Sequence, residues 1–432
     1  MAHPLFTDDF QAAPYWWQRS PRPQDDMIAL PPTADVVVIG SGYTGLSAAL
    51  QTARAGRATV VVDAEEIGWG CSTRNGGQIS TSVKPGYAEL EAKHGAERAY
   101  RILREGHEAL AWLGRFVATE GIDCDFTVCG RFHAAHNAAQ YRRLTATLGT
   151  EPKGLETEAF AVPRSEQRSE IGTGTYFGGI VYPRHASVDP ARLHDGILQR
   201  VRAAGATLVS RCAVLGISRD RGLFTLQTAR GEITARNVIV ATNGFTGKAT
   251  PWLQRRIIPI GSYIIATEEI STDLMARLLP TNRIVSDTRN VLYYYRASPD
   301  RRRILFGGRV SLQESDPMRS APRLHAAMVR VFPELAATRV SHSWAGLVAY
   351  TFDTLAHVGE QEGLHFAMGY CGSGVSMANY LGMRIGQQVL GLAEGQTAFD
   401  GLPFATRPLY RGNPWFLAPA VALYRLRDSL NI

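Results

Sequence analysis

Between Asp35 and Asp63 the chain lays down a strand, a glycine turn, a helix and a second strand in immediate succession. Two strands joined through a helix must lie parallel, which commits this region to an α/β sheet. Four β-branched residues, Val36-Val37-Val38-Ile39, run into Gly40-Ser41-Gly42-Tyr43-Thr44-Gly45, and Leu46-Ser47-Ala48-Ala49-Leu50 continues with small and apolar residues suited to a helix. The second strand, Thr59-Val60-Val61-Val62, ends on Asp63 and is followed by Ala64. Gly40 permits the tight turn, Gly42 allows close backbone approach to a pyrophosphate, and Gly45 lets helix and strand pack closely. The helix start offers unpaired N–H groups and a positive dipole end to phosphate. Asp63 is placed to accept hydrogen bonds from an adenosine ribose and would repel a 2′-phosphate. The unit predicts dinucleotide binding.

At 432 residues, length allows two or three modules and a sizeable core. Lys and Arg total 46 against 39 Asp and Glu, a formal net charge of +7, but the charges are scattered. No basic run with interleaved aromatics marks a nucleic-acid partner. Five cysteines, Cys71, Cys124, Cys129, Cys212 and Cys371, form no CxxC pair, and an odd number suits a reducing compartment. No metal site is expected. The segment from Met1 to Pro32 is polar and proline-rich around Trp16-Trp17, without the basic-then-apolar order of a signal peptide. No apolar run approaches the ~20 residues of a membrane span. These features predict a cytoplasmic protein. The apolar tail from Trp415 to Tyr424, followed by Arg425 and Arg427, is expected to cover the protein's own surface rather than a membrane.

After the βαβ unit comes Gly68-Trp69-Gly70-Cys71-Ser72-Thr73-Arg74-Asn75-Gly76-Gly77-Gln78-Ile79, a long, small, polar loop suited to wrapping a bulky polar cofactor. With the βαβ unit, the run from Ser72 to Gln78 resembles the FAD-dependent amine and amino-acid oxidoreductases of the D-amino-acid oxidase superfamily. That resemblance implies FAD as cofactor, with Ser72, Thr73, Arg74, Asn75, Gly76, Gly77 and Gln78 beside it.

The remaining pattern agrees in order. Tyr87 to Gly121 is helical by spacing, and Gly130 to Ala135 reads as a strand whose His133, with His136 just beyond, is expected to be structural. Asp189 caps a helix begun by Pro190 and running to Gly205. Asn237 to Val240 is a buried strand ending in Ala241-Thr242-Asn243-Gly244. The family's counterpart of Val214 touches adenine, and the turn with Thr242 and Gly244 lies near the cofactor. Ile257 to Thr267, Val291 to Arg296 and Ile304 to Gly308 read as strands. Period two sets Tyr294 and Arg296 on one face and Tyr293 and Tyr295 on the other. A second glycine turn, Gly372-Ser373-Gly374-Val375-Ser376, opens a helix and offers its positive end to an anion. The family places a similar turn beside the flavin, often with His where this chain has Ser373.

The resemblance implies an α/β architecture, with a Rossmann-like FAD-binding domain interleaved with an antiparallel-sheet α+β substrate domain. The expected divisions are an N-terminal extension at 1–29, an FAD-binding domain at 30–90, 187–255 and 341–410, a substrate domain at 91–186 and 256–340, and a tail at 411–432. The expected activity is oxidation of a primary or secondary amine, γ-glutamylputrescine-like or an amino acid, to an imine that hydrolyses. Dioxygen or another acceptor would reoxidise the flavin. Tyr263 or Tyr294 as an aromatic wall, Arg296 as carboxylate receptor, and Gln78 are the substrate-side candidates. FAD is expected to be non-covalent. An oxidase or dehydrogenase of L-pipecolate or other cyclic or N-alkyl amino acids, and a non-catalytic flavoprotein subunit or assembly factor, are the alternatives. A single GxGxxG unit disfavours an NADH-dependent reductase.

Overall fold

The computed structural model describes residues 4–22, 28–81, 83–308, 316–417, 419–421 and 423. Its fold is α/β, built on two large sheets. In the first, Thr33–Ile39 is central, parallel to Thr59–Val62 on one side and Gly231–Val240 on the other, with Thr207–Val209 and Leu364–Met368 extending the parallel set. Val36, Val37 and Val38 are buried on both faces, as a parallel strand covered on both sides requires. The helices Tyr43–Arg54, Pro190–Ala203 and Gly374–Val389 cover one face. The hairpin strands Val214–Asp220 and Leu223–Thr228 extend the edge beyond Gly231–Val240.

Among the described residues the second sheet has nine mixed strands, mostly antiparallel, running from Phe6–Gln11 and Val340–Tyr350 through Ile258–Thr267, Ile304–Gly308, Tyr293–Ala297 and Ile284–Asp287 to Arg131–Ala134, Gly179–Tyr182 and Phe160–Val162. The helix Pro317–Val331 covers its outer face, burying Tyr263, Tyr295, Phe306 and Leu324.

Three observations bear on the expected divisions. Strand Val340–Tyr350 pairs along its length with Ile258–Thr267 in the second sheet, so a division at 341 cuts into a strand of the sheet assigned to the substrate domain. Within the expected extension, Phe6–Gln11 adds a parallel strand to that sheet, and Trp16 is fully buried. Gly95, at φ +80°, splits the expected helical stretch, and the second half, Ala96–Thr119, buries Ile102, Leu110 and Leu113 in the nucleotide-sheet core rather than in the substrate domain. In the tail, Leu417 is buried with Ile258 and Tyr410, whereas Trp415 is exposed. Tyr424, Arg425 and Arg427 lie outside the described residues. Among the described residues no helix is long and apolar enough to cross a membrane.

Candidate active site

The first glycine turn is built for contact at its base. Gly40 takes φ +104°, and a Cβ on Gly45 would lie 1.9 Å from the Gly40 carbonyl oxygen, so only glycine lets the helix start so close to its strand. At Gly42 a Cβ would meet Ser72 Oγ at 3.0 Å. The turn is held from three sides. Asp63 Oδ2 accepts from the Ser41 N–H at 2.7 Å and its hydroxyl at 2.6 Å, the Tyr43 N–H donates to Ser72 Oγ at 2.9 Å, and buried His194 Nε2–H donates to the Ser41 carbonyl at 2.8 Å.

The loop from Cys71 to Gln78 is pinned by indoles. Trp16 Nε1 donates to the Asn75 carbonyl at 2.8 Å, Trp17 Nε1 to Thr73 Oγ1 at 2.9 Å, and Trp344 Nε1 to the Arg74 carbonyl at 2.8 Å. The Arg74 guanidinium lies over the Trp69 ring at 3.9 Å and the Trp17 ring at 5.0 Å. Arg19, bonded to Asp189 and Asp125, anchors the N-terminal segment on the far side. An aromatic pair in a proline-rich segment was the only sequence signal for this clamp.

The second glycine turn comes alongside the first. A Cβ on Gly382 would lie 2.5 Å from the Thr44 carbonyl oxygen, so helices Tyr43–Arg54 and Gly374–Val389 cross in backbone contact. Thr44 Oγ1 and Tyr370 OH are 2.6 Å apart. Gly372, at φ +103°, precedes the helix start, and Asn243 Oδ1 accepts from the Gly369 N–H at 2.9 Å, tying the turn after Val240 to this one.

Between the two sheets lies a cavity of about 1150 Å³. Of the expected cofactor-side residues, its wall includes Gly40, Ser41, Gly42, Tyr43, Thr44, Asp63, Ala64, Ser72, Arg74, Asn75, Gly76 and Gln78, with Val214, Thr242, Gly244, Gly372, Gly374 and Val375. Gly45, Thr73, Gly77, Ser373 and Ser376 stand behind that wall. Thr73 Oγ1 donates to the Gly68 carbonyl, Ser376 Oγ to the Ser80 carbonyl, and a Cβ on Gly77 would meet the Val188 oxygen at 2.2 Å.

On the substrate side the structure separates the candidates. Tyr294 lines the cavity, wedged between Gly76 and Gly307, with its hydroxyl 2.8 Å from Ser262 Oγ. Tyr263 does not, because strand alternation turns Ser262 and Ile264 to the cavity and Tyr263 into the outer core. Arg296 shares the Tyr294 face but lies beyond the cavity wall. It is buried, and its Nη1 donates at 2.9 Å to both the Gly77 and Val188 carbonyls. Gln78 lines the cavity, yet its amide donates to the Tyr295 and Val285 carbonyls at 3.1 and 3.3 Å.

Sequence reading missed the cavity's polar far end. His133, expected to be a satisfied surface or strand residue, lines it from its strand, with Nδ1 2.9 Å from Ser286 Oγ. His185 stacks on Tyr182 with Nε2 3.2 Å from Thr81 Oγ1. Burial first, and the nearby Arg131 second, push both imidazoles down to about 3, so they are neutral at ordinary pH. Burial raises Asp287 to about 6 despite its ion pair with Arg289. The alternation of Arg131 with His133 on one strand was the signal available for this end.

A family model for FAD-dependent oxidoreductases, DAO, matches residues 35–388. The chain belongs to this family. γ-Glutamylputrescine oxidoreductase of Escherichia coli K12 is 31% identical over 407 residues, covering 93% of this chain and 94% of that protein. Among solved structures, glycine oxidase from Geobacillus kaustophilus matches with a TM-score of 0.72 at 18% identity, over 88% of this chain and 99% of that one. L-Proline dehydrogenase from P. horikoshii matches with a TM-score of 0.68 at 17% identity, over 90% and 99%. The protein is thus an FAD-dependent oxidoreductase with the DAO fold. Its residues fit that cofactor: two glycine-rich helix starts, side by side, open into one long cavity, and the tightest glycine positions leave no room for a Cβ.

Proposed function

We propose that the protein oxidises a primary or secondary amine, of the γ-glutamylputrescine or amino-acid type, with FAD held non-covalently and dioxygen as terminal acceptor. The observation that carries this reading is the single cavity running from the turn at Gly40–Gly42, past the turn at Gly372–Gly374, to Tyr294 on the floor of the second sheet. The name of the relative at 31% identity supports the substrate class.

In this reading the main-chain N–H groups at the start of helix Tyr43–Arg54 bind the diphosphate, Asp63 takes the ribose hydroxyls, and Val214, Thr242 and Gly244 border the adenosine. The positive end of helix Gly374–Val389 favours anionic charge on the ring system. Bound FAD supplies a two-electron acceptor for the hydride equivalent leaving the carbon next to nitrogen. Tyr294, braced by Ser262, Gly76 and Gly307, orients the amine from the opposite wall. His133 and His185, both neutral, leave the charge of the cavity's far end to the side chains around them. Overall, amine, dioxygen and water give carbonyl compound, ammonium (or the smaller amine) and hydrogen peroxide. Arg296, committed to the Gly77 and Val188 carbonyls, takes no part in substrate binding.

Anaerobic mixing of the yellow holoprotein with γ-glutamylputrescine, L-pipecolate and N-methyl amino acids tests the reading. Bleaching of the flavin band by one of them, and recovery with peroxide release on admitting oxygen, is expected. A flavin that no amine bleaches would overturn it. Colour that stays with the denatured protein would refute non-covalent attachment.

A further inference from the structure

Among the described residues, the far end of the cavity gathers more cationic than anionic side chains. Arg131 lines it from strand Arg131–Ala134, its Nε is buried without a hydrogen-bond partner, and among the described residues no carboxylate pairs with it. Burial pulls its pKa down to about 10, with only the Tyr182 phenol pushing back. Lys84 and Arg143, both exposed, line the same cavity, Lys84 close enough to weigh on His133. Among the described residues, the acids that line the cavity lie at the nucleotide end or are paired. Asp63 is bonded to Ser41 at the nucleotide end, Glu65 follows two residues later, and Asp287 is paired with Arg289. Half-buried in the cavity wall with no carboxylate beside it, the Arg131 guanidinium is a ready receptor for an anionic ligand group.

The sheet sets a length scale. His133 pairs with Ser286 and Ser286 with Tyr294, so the three form one cross-strand row. The strand bearing Arg131 therefore lies two strand spacings, about 10 Å, from the strand bearing Tyr294.

We infer that the substrate is an elongated amine whose far end carries a carboxylate, gripped by the Arg131 guanidinium with Lys84 and Arg143 nearby, while the C–N bond to be oxidised lies against Tyr294. The inference rests on the amine-oxidising reading above and deepens it. A guanidinium matches a carboxylate's two oxygens with parallel donors, and the spacing selects against α-amino acids, in which nitrogen and carboxylate are adjacent.

The test compares glycine, γ-aminobutyrate, ε-aminocaproate and hexylamine as reductants of the holoprotein under anaerobic stopped flow, in wild type, Arg131→Gln and Arg131→Lys. ε-Aminocaproate is expected to surpass both glycine and hexylamine by about 10- to 100-fold in reduction rate over Kd. Arg131→Gln should keep its colour and lose the advantage over hexylamine, and Arg131→Lys should retain part of it. A preference for glycine, parity of ε-aminocaproate with hexylamine, no response to any of the four, or a preference that survives Arg131→Gln overturns the inference. If Arg131→Gln does not fold, the double variant Lys84→Gln, Arg143→Gln at exposed positions is expected to weaken ε-aminocaproate relative to hexylamine, and an unchanged ratio overturns it. A flavin bleached by γ-glutamylputrescine or L-pipecolate but showing none of these preferences leaves the function standing and sinks the inference alone.

Discussion

Gly382 lies directly on the backbone of Thr44. A Cβ there would come within 2.5 Å of the Thr44 oxygen and 2.8 Å of its Cα, and Gly386 repeats the contact one turn later against Ala48. Ser47 Oγ donates to Asn379 Oδ1 at 3.0 Å in the same seam. This crossing brings two glycine turns more than 300 positions apart in sequence to one cavity. Gly382→Ala should force the helices apart, destabilising the protein by about 1–3 kcal/mol. It should also lower the ratio of flavin to protein absorbance, measurable after gel filtration alongside a denaturant titration.

Within the first turn, Gly45 and Gly42 should respond differently. An added Cβ at Gly45 strikes a backbone carbonyl, whereas at Gly42 it meets the side chain of Ser72, which can rotate. Gly45→Ala is expected to give little folded, colourless protein. Gly42→Ala should fold and bind FAD more weakly, as fluorescence titration of added flavin will show.

The N-terminal clamp makes a third case. Trp16→Phe removes the donor to the Asn75 carbonyl and leaves that group short of a partner, at a cost of about 1–3 kcal/mol. Trp17→Phe loses the bond to Thr73 Oγ1 but keeps the ring near Arg74. The first variant should release flavin at a lower temperature than wild type in a thermal ramp followed by flavin fluorescence, with Trp17→Phe between them.

Tyr294 and Arg296 share a strand face and should separate by readout. Tyr294→Phe, losing the hydroxyl contact with Ser262, should change the rate of flavin reduction while Tm stays within a few degrees. Arg296→Met strands the Val188 carbonyl and takes one of two donors from the Gly77 carbonyl, which keeps the Val188 N–H; it should lower Tm and expression, with little change in the Kd for substrate in the protein that survives.

The pH dependence of stability follows from His185, only 3% exposed. Its folded pKa, about 3, lies below the ordinary value of 6.5. Between these values the unfolded chain binds more protons, so stability falls as pH drops from about 6.5 toward 3, by up to roughly 4 kcal/mol for this group. His185→Asn should flatten that slope in denaturant midpoints taken across the range. An unchanged slope would assign the acid sensitivity to other groups.

Features whose physics is local could be read from the order of residues alone. Val36–Ile39, the glycines from Gly40 to Gly45 and the acid at Asp63 announce a dinucleotide unit because turn, helix start and strand end all lie within one short segment. The cap at Asp189 and the glycine turn before Val375 were legible for the same reason. The rest depended on contacts between distant segments. Alternation along Ile258–Thr267 gives no sign of which face meets the cavity, so Tyr263 fell to the core and Ser262 to the wall. Arg296 had the right chemistry on the right face, but two carbonyls from distant segments claimed it. The unpaired charge of Arg131 becomes visible only when three strands and a loop close around it, because the absence of a partner is a property of the surroundings and not of the residue.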